Sequence, residues 1–192
     1  MSESGERQRL FYAVWPPPAV RVALALAGSQ RLALGAGRAV PAANLHLTLA
    51  FLGLVAGAEL DRLEAIGARL RVPAALLTLD RIDWWPRAQV LVAAATEPPP
   101  ALLGVQRELT DELKDGGFRV DSAAFRPHVT LARKLLRRPS ALAFDPVEWP
   151  LGTLALCASR PSAGGSIYTP LVVWELGDSA AFPDRVPATP VR

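Results

Sequence analysis

The chain has little of what metal and redox sites usually require, since its 192 residues include one cysteine, two histidines and one methionine. A single cysteine excludes an internal disulfide framework, which fits a reducing compartment. Cys157 lies in an apolar run, so we expect a small buried hydrophobic side chain there rather than a reactive thiol. The sequence also has no Gly-x-Ser-x-Gly segment, which argues against a serine hydrolase of the α/β type.

Long apolar runs are missing as well. No stretch is long enough to cross a membrane, and the first seven residues hold no apolar run typical of a signal peptide. We therefore expect a cytoplasmic protein with no membrane partner. The length suffices to bury a core, and we expect residues 1–192 to form a single bilobal domain that acts as a monomer, with no obligate protein partner. Residues 1–7 and 177–192 are expected to be loosely ordered ends.

The charge of the chain mildly favours an anionic partner, because the formal net charge is +3. Basic residues cluster around the second histidine, at Arg126, Arg133, Lys134, Arg137 and Arg138. Such a cluster fits contact with an RNA backbone. For Arg137 and Arg138, a solvated surface is an equally good explanation.

The most informative feature is the setting of the two histidines. They read His46-Leu-Thr-Leu-Ala and His128-Val-Thr-Leu-Ala, 82 positions apart. The alternation predicts a strand in each case, with the histidine and its threonine, Thr48 or Thr130, on one face. If Thr and Leu occur at their positions roughly one time in twenty and one in ten, chance gives both copies about once in forty thousand. The repeat therefore predicts two half-sites that close on one ligand.

Two histidines support a limited range of chemistry. A zinc site needs three or four protein ligands, and the immediate neighbours offer no carboxylate or thiolate at ligand spacing, so we expect no metal and no other cofactor. Imidazole titrates near neutrality, so one ring can hold a proton while the other lacks it. The pair therefore suits acid and base catalysis, and the neighbouring threonine hydroxyls suit hydrogen bonds to phosphate oxygens.

The periodicity of the remaining chain predicts a mixture of short elements. Besides the two histidine strands, strands are predicted at residues 9–15, 76–84, 89–95, 118–120, 147–159 and 167–176, and helices at 17–34, 58–70 and 100–114. Strands outnumber helices, and several follow one another directly. The fold class is therefore α+β with antiparallel sheets.

Phe51 and Arg133 present a difficulty, because each stands five residues after its histidine. Strict alternation would place both side chains on the face opposite the imidazoles. Either the strands end or bulge after Ala50 and Ala132, or Phe51 and Arg133 act from the rim of the site.

Residues 44–53 read Asn-Leu-His-Leu-Thr-Leu-Ala-Phe-Leu-Gly, and residues 125–133 read Phe-Arg-Pro-His-Val-Thr-Leu-Ala-Arg. Together with the opening strand at residues 9–14 they resemble the two-histidine phosphoesterases, and most closely the bacterial and archaeal RNA 2′,3′-cyclic phosphodiesterases, long called 2′-5′ RNA ligases. The closing residues extend the resemblance, at Ser159, Arg160, Gly165, Tyr168 and residues 174–176. Residues 71–100 match only as a pattern of strands.

The resemblance implies an architecture and an activity. Two similar lobes, each an antiparallel sheet backed by helices, would face each other across a central cleft lined by the two His-x-Thr strands. The expected substrate is an RNA that ends in a 2′,3′-cyclic phosphate. Hydrolysis would leave a 2′-phosphate without the help of a metal, and a reversible 2′-5′ RNA ligase activity is expected beside it.

The resemblance also assigns roles to individual residues. We expect His46 to be the general acid and His128 the general base, although the symmetry of the motifs leaves their order open. The substrate phosphate is expected to contact Thr48, Thr130 and Arg133. Candidate substrate contacts are Phe51, Arg126 and Tyr168. Phe51 could stack on a base, although core packing is the favoured interpretation.

Two other functions stay open. One is a non-catalytic module that binds RNA or a nucleotide, against which the presence of both histidines argues. The other is a phosphodiesterase that acts on small cyclic nucleotides or on 2′-5′ oligonucleotides, which the motifs do not exclude.

Overall fold

The structure, a computed structural model, describes residues 6–32, 37–71, 74–121, 123–139, 144–162 and 165–175. The elements in chain order are β1 (Arg7–Val14), α1 (Pro18–Leu32), β2 (Arg38–Ala39), β3 (Leu47–Ala56), α2 (Leu60–Arg69), β4 (Ala75–Leu79), β5 (Arg81–Trp85), β6 (Val90–Ala94), α3 (Pro100–Asp115), β7 (His128–Arg133), β8 (Val147–Leu151), β9 (Thr153–Ser162) and β10 (Gly165–Glu175). Short 3-10 helices, Ala42–Asn44 and Gly57–Glu59, precede β3 and α2. The predicted α+β class is confirmed.

The two histidine strands meet at the centre of an antiparallel sheet. Its strand order is β10-β9-β1-β3-β7-β6-β5, with β2 paired to β7, while β4 and β8 form a separate two-stranded sheet. β3 and β7 share the single registered pair Leu47 and Val129. The sheet therefore consists of two halves that meet at this pair. Helix α1 packs against β7 on one half and against β8 of the separate sheet, whereas α2 and α3 pack against β9 and β3 on the other half.

Helix α3 shows how the core is built. Its apolar residues recur every three or four positions, so Leu102, Val105, Leu109 and Leu113 form one buried face. The helix ends at Asp115, one residue beyond the predicted end, and is followed by Gly116 and by Gly117, which has a φ of +77°. The predicted helix is confirmed, and it packs beside β3.

Cys157 lies in β9 and is fully buried, as the sequence predicts. Burial raises the pKa of its thiol to about 12. Because only the thiolate is a good nucleophile, the protonated thiol of this cysteine is a poor nucleophile at neutral pH.

The predicted strand at residues 76–84 is wrong, because the chain breaks at Asp80 into β4 and β5, which belong to different sheets. The Asp80 carboxylate accepts hydrogen bonds from the backbone N–H of Thr96 (2.8 Å) and from its hydroxyl (3.0 Å). These hydrogen bonds stabilise the backbone at Asp80, where the chain passes from one sheet to the other. The predicted strand at residues 147–159 likewise divides at Gly152 into β8 and β9.

The predicted short strand at residues 118–120 is also wrong. The backbone N–H of Phe118 donates to the carbonyl of Leu113 (2.9 Å), so this residue closes the end of α3 instead of pairing with a strand. Arg62 lies over the Phe118 ring at 5.2 Å from its centroid, which ties the same turn to α2.

The expected loose ends lie mostly outside the described residues, which begin at Glu6 and stop at Glu175. Two residues of the expected N-terminal end are ordered: Arg7 begins β1, and the carbonyl of Glu6 accepts a hydrogen bond from Gly57 (3.2 Å). The extent of the domain over residues 1–192 stays a prediction. None of the helices in the described ranges is long and apolar enough to cross a membrane.

Candidate active site

Both histidine strands carry a β-bulge at the same place in the motif. Where β1 advances from Tyr12 to Ala13, its partner on β3 changes from Ala50 to Thr48, so Leu49 is left without a partner. On β7 the partners of β6 change from Ala132 to Thr130, and Leu131 is left out. An extra residue reverses the alternation of side chains beyond it. The side chains after each bulge therefore return to the face of the histidine.

The bulges settle where Phe51 and Arg133 point. Leu49 and Ala50 are both buried and Phe51 is 60% exposed, while Leu131 and Ala132 are both buried and Arg133 is exposed. Each bulge lies one residue before the position that the sequence suggested. The favoured interpretation of Phe51 as a core residue is wrong.

The rings of both histidines are oriented by the same backbone contact. Nδ1–H of His46 donates to the carbonyl of Asn44, and Nδ1–H of His128 donates to the carbonyl of Arg126, each at 2.7 Å. Because a carbonyl only accepts, these bonds fix the tautomer, and Nε2 of each neutral ring is an acceptor. Nε2 of His46 lies 3.0 Å from Oγ1 of Thr48. Both rings are therefore prepared to exchange a proton at Nε2.

Aromatic rings enclose His46 more completely than the sequence suggested. Trp15 stacks on it with centroids 5.1 Å apart and an interplanar angle of 14°. Tyr168 meets it edge-on at 5.0 Å, and Phe11 lies at 5.0 Å. His128 has one aromatic neighbour in the structure as described, Trp85, at 4.6 Å.

The environment lowers the pKa of both histidines. Burial lowers the pKa of His46 to about 4, and the positive charge of Arg133 acts in the same direction, against the opposing effect of the bond to Asn44. The pKa of His128 is lowered by burial and by Arg133, while its bond to the carbonyl of Arg126 raises it. Both rings are therefore neutral at pH 7 in the free protein.

A cavity of about 190 Å³ brings most of the predicted site together. Seven predicted residues line it: His46, Thr48, Phe51, His128, Thr130, Arg133 and Tyr168. A second, larger cavity of about 420 Å³ adjoins it and shares Thr48, Phe51, Trp85 and His128 with it. Arg126 lines the larger cavity instead of the smaller one. The predicted residues thus occupy two joined cavities.

Sequence reasoning missed several residues of the site. Asn44 and Arg126 orient the histidines through backbone carbonyls, so their side-chain types gave no signal in the sequence. The Asn44 side chain donates to the carbonyl of Ser166 on β10 (2.7 Å), which holds the segment before β3 in place. Trp85 lies in residues 71–100, where the resemblance assigned nothing, and it lines both cavities. Trp15 and Phe11 come from β1 and the residue after it, so only the sheet order brings them to His46.

No cluster of three or more His, Cys, Asp or Glu side chains that could hold a metal ion occurs within the described residues. The polar side chains that line the smaller cavity include two imidazoles, the hydroxyls of two threonines and one tyrosine, the amide of Asn44 and one guanidinium. Guanidinium and hydroxyl groups bind phosphate oxygens.

Two histidine strands with the same bulge and the same orienting bond, facing one cavity beside an arginine, define the site of a two-histidine phosphoesterase. The chain belongs to the 2′-5′ RNA ligase superfamily, whose family model matches residues 16–160.

Similar proteins cover nearly the whole chain. It is 34% identical over 175 residues to the RNA 2′,3′-cyclic phosphodiesterase of Escherichia coli (strain K12), which covers 89% of this chain and 98% of that protein. It is 34% identical over 185 residues to the protein of that name from Thermus thermophilus, with coverage of 88% and 90%. The crystal structure of E. coli LigT complexed with 3′-AMP matches the fold with a TM-score of 0.80 and 33% identity, over 90% of this chain and 100% of that chain.

Proposed function

We propose that the protein is an RNA 2′,3′-cyclic phosphodiesterase that hydrolyses a terminal cyclic phosphate to a 2′-phosphate without a metal. The observation that carries the proposal is the pair of neutral imidazoles, each with Nδ1–H bonded to a carbonyl and Nε2 free to exchange a proton, in one cavity with Arg133. The two relatives that bear this enzyme name add support, because each aligns with nearly nine-tenths of the chain.

The reaction divides between the two rings. Nε2 of His128 takes a proton from water as the water oxygen attacks phosphorus. The bond from phosphorus to the 3′ oxygen breaks, and Nε2 of the protonated His46 gives its proton to that oxygen. Each proton transfer typically contributes about 10²- to 10⁴-fold to the rate.

The stacking of Trp15 on His46 supports the role of His46 as the acid, whereas burial of the ring disfavours its protonated form. Its pKa of about 4 makes it neutral in the free protein, so it must gain its proton together with the anionic phosphodiester. The face of Trp15 then stabilises the resulting cation. His128, with a single described aromatic neighbour and a place in both cavities, suits the base that meets water.

The remaining residues of the site bind the substrate. Arg133 offsets the charge that develops on the pentavalent phosphate, and Thr48 and Thr130 donate to its nonbridging oxygens. Phe51 and Tyr168 contact the terminal nucleotide from the rim. Arg126, which lines the larger cavity, is a further candidate contact to the RNA.

With a 5′-hydroxyl in place of water as the nucleophile, the same geometry joins a 2′,3′-cyclic phosphate to that hydroxyl: the bond from phosphorus to the 3′ oxygen breaks and a 2′-5′ linkage forms. Water at about 55 M favours hydrolysis unless the two RNA ends are held together. We therefore propose hydrolysis as the main reaction and ligation as a minor reaction that competes with it. That the enzyme acts as a monomer in the cytoplasm stays a prediction.

Purified protein treated exhaustively with EDTA should still convert an RNA ending in 2′,3′-cyclic phosphate to one ending in 2′-phosphate, because two imidazoles replace a metal-bound water. Rates on a 2′,3′-cyclic mononucleotide and on a 2′-5′ linked dinucleotide, measured in parallel, identify the preferred substrate. Loss of turnover in EDTA that a divalent ion restores would contradict the mechanism. Tight RNA binding with no turnover would instead indicate a binding module.

The pH dependence of kcat/KM should be bell-shaped with its maximum below pH 6.5, because the pKa values of both histidines are lowered in the free protein. The maximum of kcat should lie at higher pH, since the bound phosphodiester favours protonated rings. Sequence alone placed both ionisations near neutrality. Steady-state kinetics across the acidic and neutral range test this.

Arg133 provides an internal check on that profile. Its charge lowers the pKa of both rings, so Arg133→Gln should move the kcat/KM maximum to higher pH while also lowering turnover. Lys134→Gln removes the charge of the exposed neighbouring residue, and it should leave the maximum where it is. A maximum above pH 7.5 in the unmodified enzyme, or an acidic displacement in Arg133→Gln, would contradict the proposed electrostatics.

A further inference from the structure

The larger cavity has no role in the chemistry described so far. It lies between β3, helix α3 and residues 120–121 and 123–126, which precede β7. It exists because β3 pairs with β7 only at Leu47, so the two strands diverge beyond that pair. Its position next to the phosphate-binding cavity, with four residues in common, places it within reach of the nucleotide that carries the cyclic phosphate.

The size and lining of this cavity suit a base rather than a phosphate. Its volume of about 420 Å³ falls in the range of roughly 300–1,000 Å³ that is typical of small-molecule sites. Most of its lining is apolar, including Leu49, Val120 and Phe125. Phe51 and Trp85 line both cavities and therefore stand where the base would leave the ribose. Aromatic rings in such a position stack on bases.

The side-chain oxygens of Gln106 and Asp121 give this cavity a polar preference. Nε2 of Gln106 donates to Oγ1 of Thr110 (2.9 Å) and to the carbonyl of Leu49 (3.4 Å). The amide nitrogen is thereby engaged, and Oε1 is the group that this lining residue can offer to a ligand, as an acceptor. The carboxylate of Asp121, which accepts from the backbone N–H of Ala123 (3.0 Å), is also an acceptor. Two acceptors match the amino groups of adenine, cytosine and guanine. Uracil has no exocyclic amino group: it carries the O4 carbonyl where cytosine carries its N4 amino group, and the donor left on that edge is a single ring N–H.

We propose that the larger cavity binds the base of the 3′-terminal nucleotide, and that Gln106 and Asp121 favour a base with an exocyclic amino group over uracil. The proposal rests on the proposed function and specifies its substrate. A hydrogen bond to one such acceptor is expected to change kcat/KM by about 3- to 10-fold.

The test uses five substrates that differ only in their last nucleotide: RNAs ending in A, C, G or U, and one whose last ribose lacks a base, each with a 2′,3′-cyclic phosphate. We expect A, C and G to exceed U by about 3- to 10-fold in kcat/KM, with the substrate that lacks a base below all four. Gln106→Met keeps the length of the side chain and removes the acceptor, so the ratio of kcat/KM on RNAs ending in A, C or G to that on the RNA ending in U should decrease. Arg107→Met, on the exposed side of α3, is the matched control and should preserve it.

A second variant tests the acceptor argument in the opposite direction. Asp121→Asn adds a donor at nearly constant size, and the relative rate on the RNA ending in U should rise. Ratios between substrates are compared within one preparation, so partial unfolding of a variant cancels. Equal kcat/KM on all five substrates, or an unchanged preference in both variants, would overturn the base subsite and leave the proposed function standing. Turnover of none of the five would overturn the proposed function and this inference together.

Discussion

Replacing either His46 or His128 with alanine should lower turnover on a cyclic-phosphate RNA by at least about 100-fold, because each ring performs a separate proton transfer. The two single variants should lose similar amounts. The double variant should lose less than the product of the two losses, since residues that act as a unit are not additive in their effects. Single-turnover rates at saturating RNA separate this loss of chemistry from any change in binding.

The control for this loss must separate chemistry from folding. His46 packs against Trp15, Phe11 and Tyr168, so its removal leaves a gap in an aromatic cluster, and thermal melting should accompany the kinetics. Arg137→Ala removes an exposed charge that lines neither cavity, and it should affect RNA affinity and its salt dependence at most. Near-normal turnover in a folded His46→Ala or His128→Ala variant would remove that histidine from the mechanism.

The sequence predicted the histidine strands and the face they share because these properties depend on neighbouring residues. His46 and Thr48 stand two positions apart, and alternation alone puts them on one side of a strand. The α+β class follows in the same way, from the number and order of short apolar segments. Such local information does not decide which strands become neighbours.

The direction of Phe51 and Arg133 could not be predicted, because a bulge is a property of a pair of strands. Leu49 has no partner on β1, and Leu131 has none on β6. Helix α1 separates β1 from β3 along the chain, and helix α3 separates β6 from β7. The sequence around each bulge is compatible with a regular strand. The sequence indicated only that Phe51 and Arg133 occupy equivalent positions, because each stands five residues after its histidine.

The environment of His46 was hidden for the same reason. Trp15 and Phe11 come from the first strand and its end, and Tyr168 comes from the last strand. These rings converge because β1 pairs with both β3 and β9, and β9 pairs with β10. The resulting burial lowers the pKa of His46 to about 4, a value that no local pattern around the histidine indicates.

Substituting sulfur for the 3′ bridging oxygen of the cyclic phosphate should rescue His46→Ala and leave His128→Ala impaired. A thiolate leaves without being protonated, so the general acid is no longer needed, whereas water must still be deprotonated. We expect His46→Ala to turn over the sulfur substrate at least about 10-fold faster than the oxygen substrate. The unmodified enzyme gives the reference ratio between the two substrates, which corrects for the intrinsic reactivity of the sulfur compound.

The outcome also decides which histidine is the acid and which is the base, a question that the symmetry of the motifs leaves open. A bell-shaped pH profile does not answer it, because reversed protonation of the pair gives the same curve. Rescue of His128→Ala instead would make His128 the acid and His46 the base, and the aromatic rings around His46 would then serve a neutral imidazole. Rescue of neither variant would count against a simple acid and base pair. Selective rescue of His46→Ala would connect the most enclosed ring of the site to the one step that requires a proton to be delivered to the leaving oxygen.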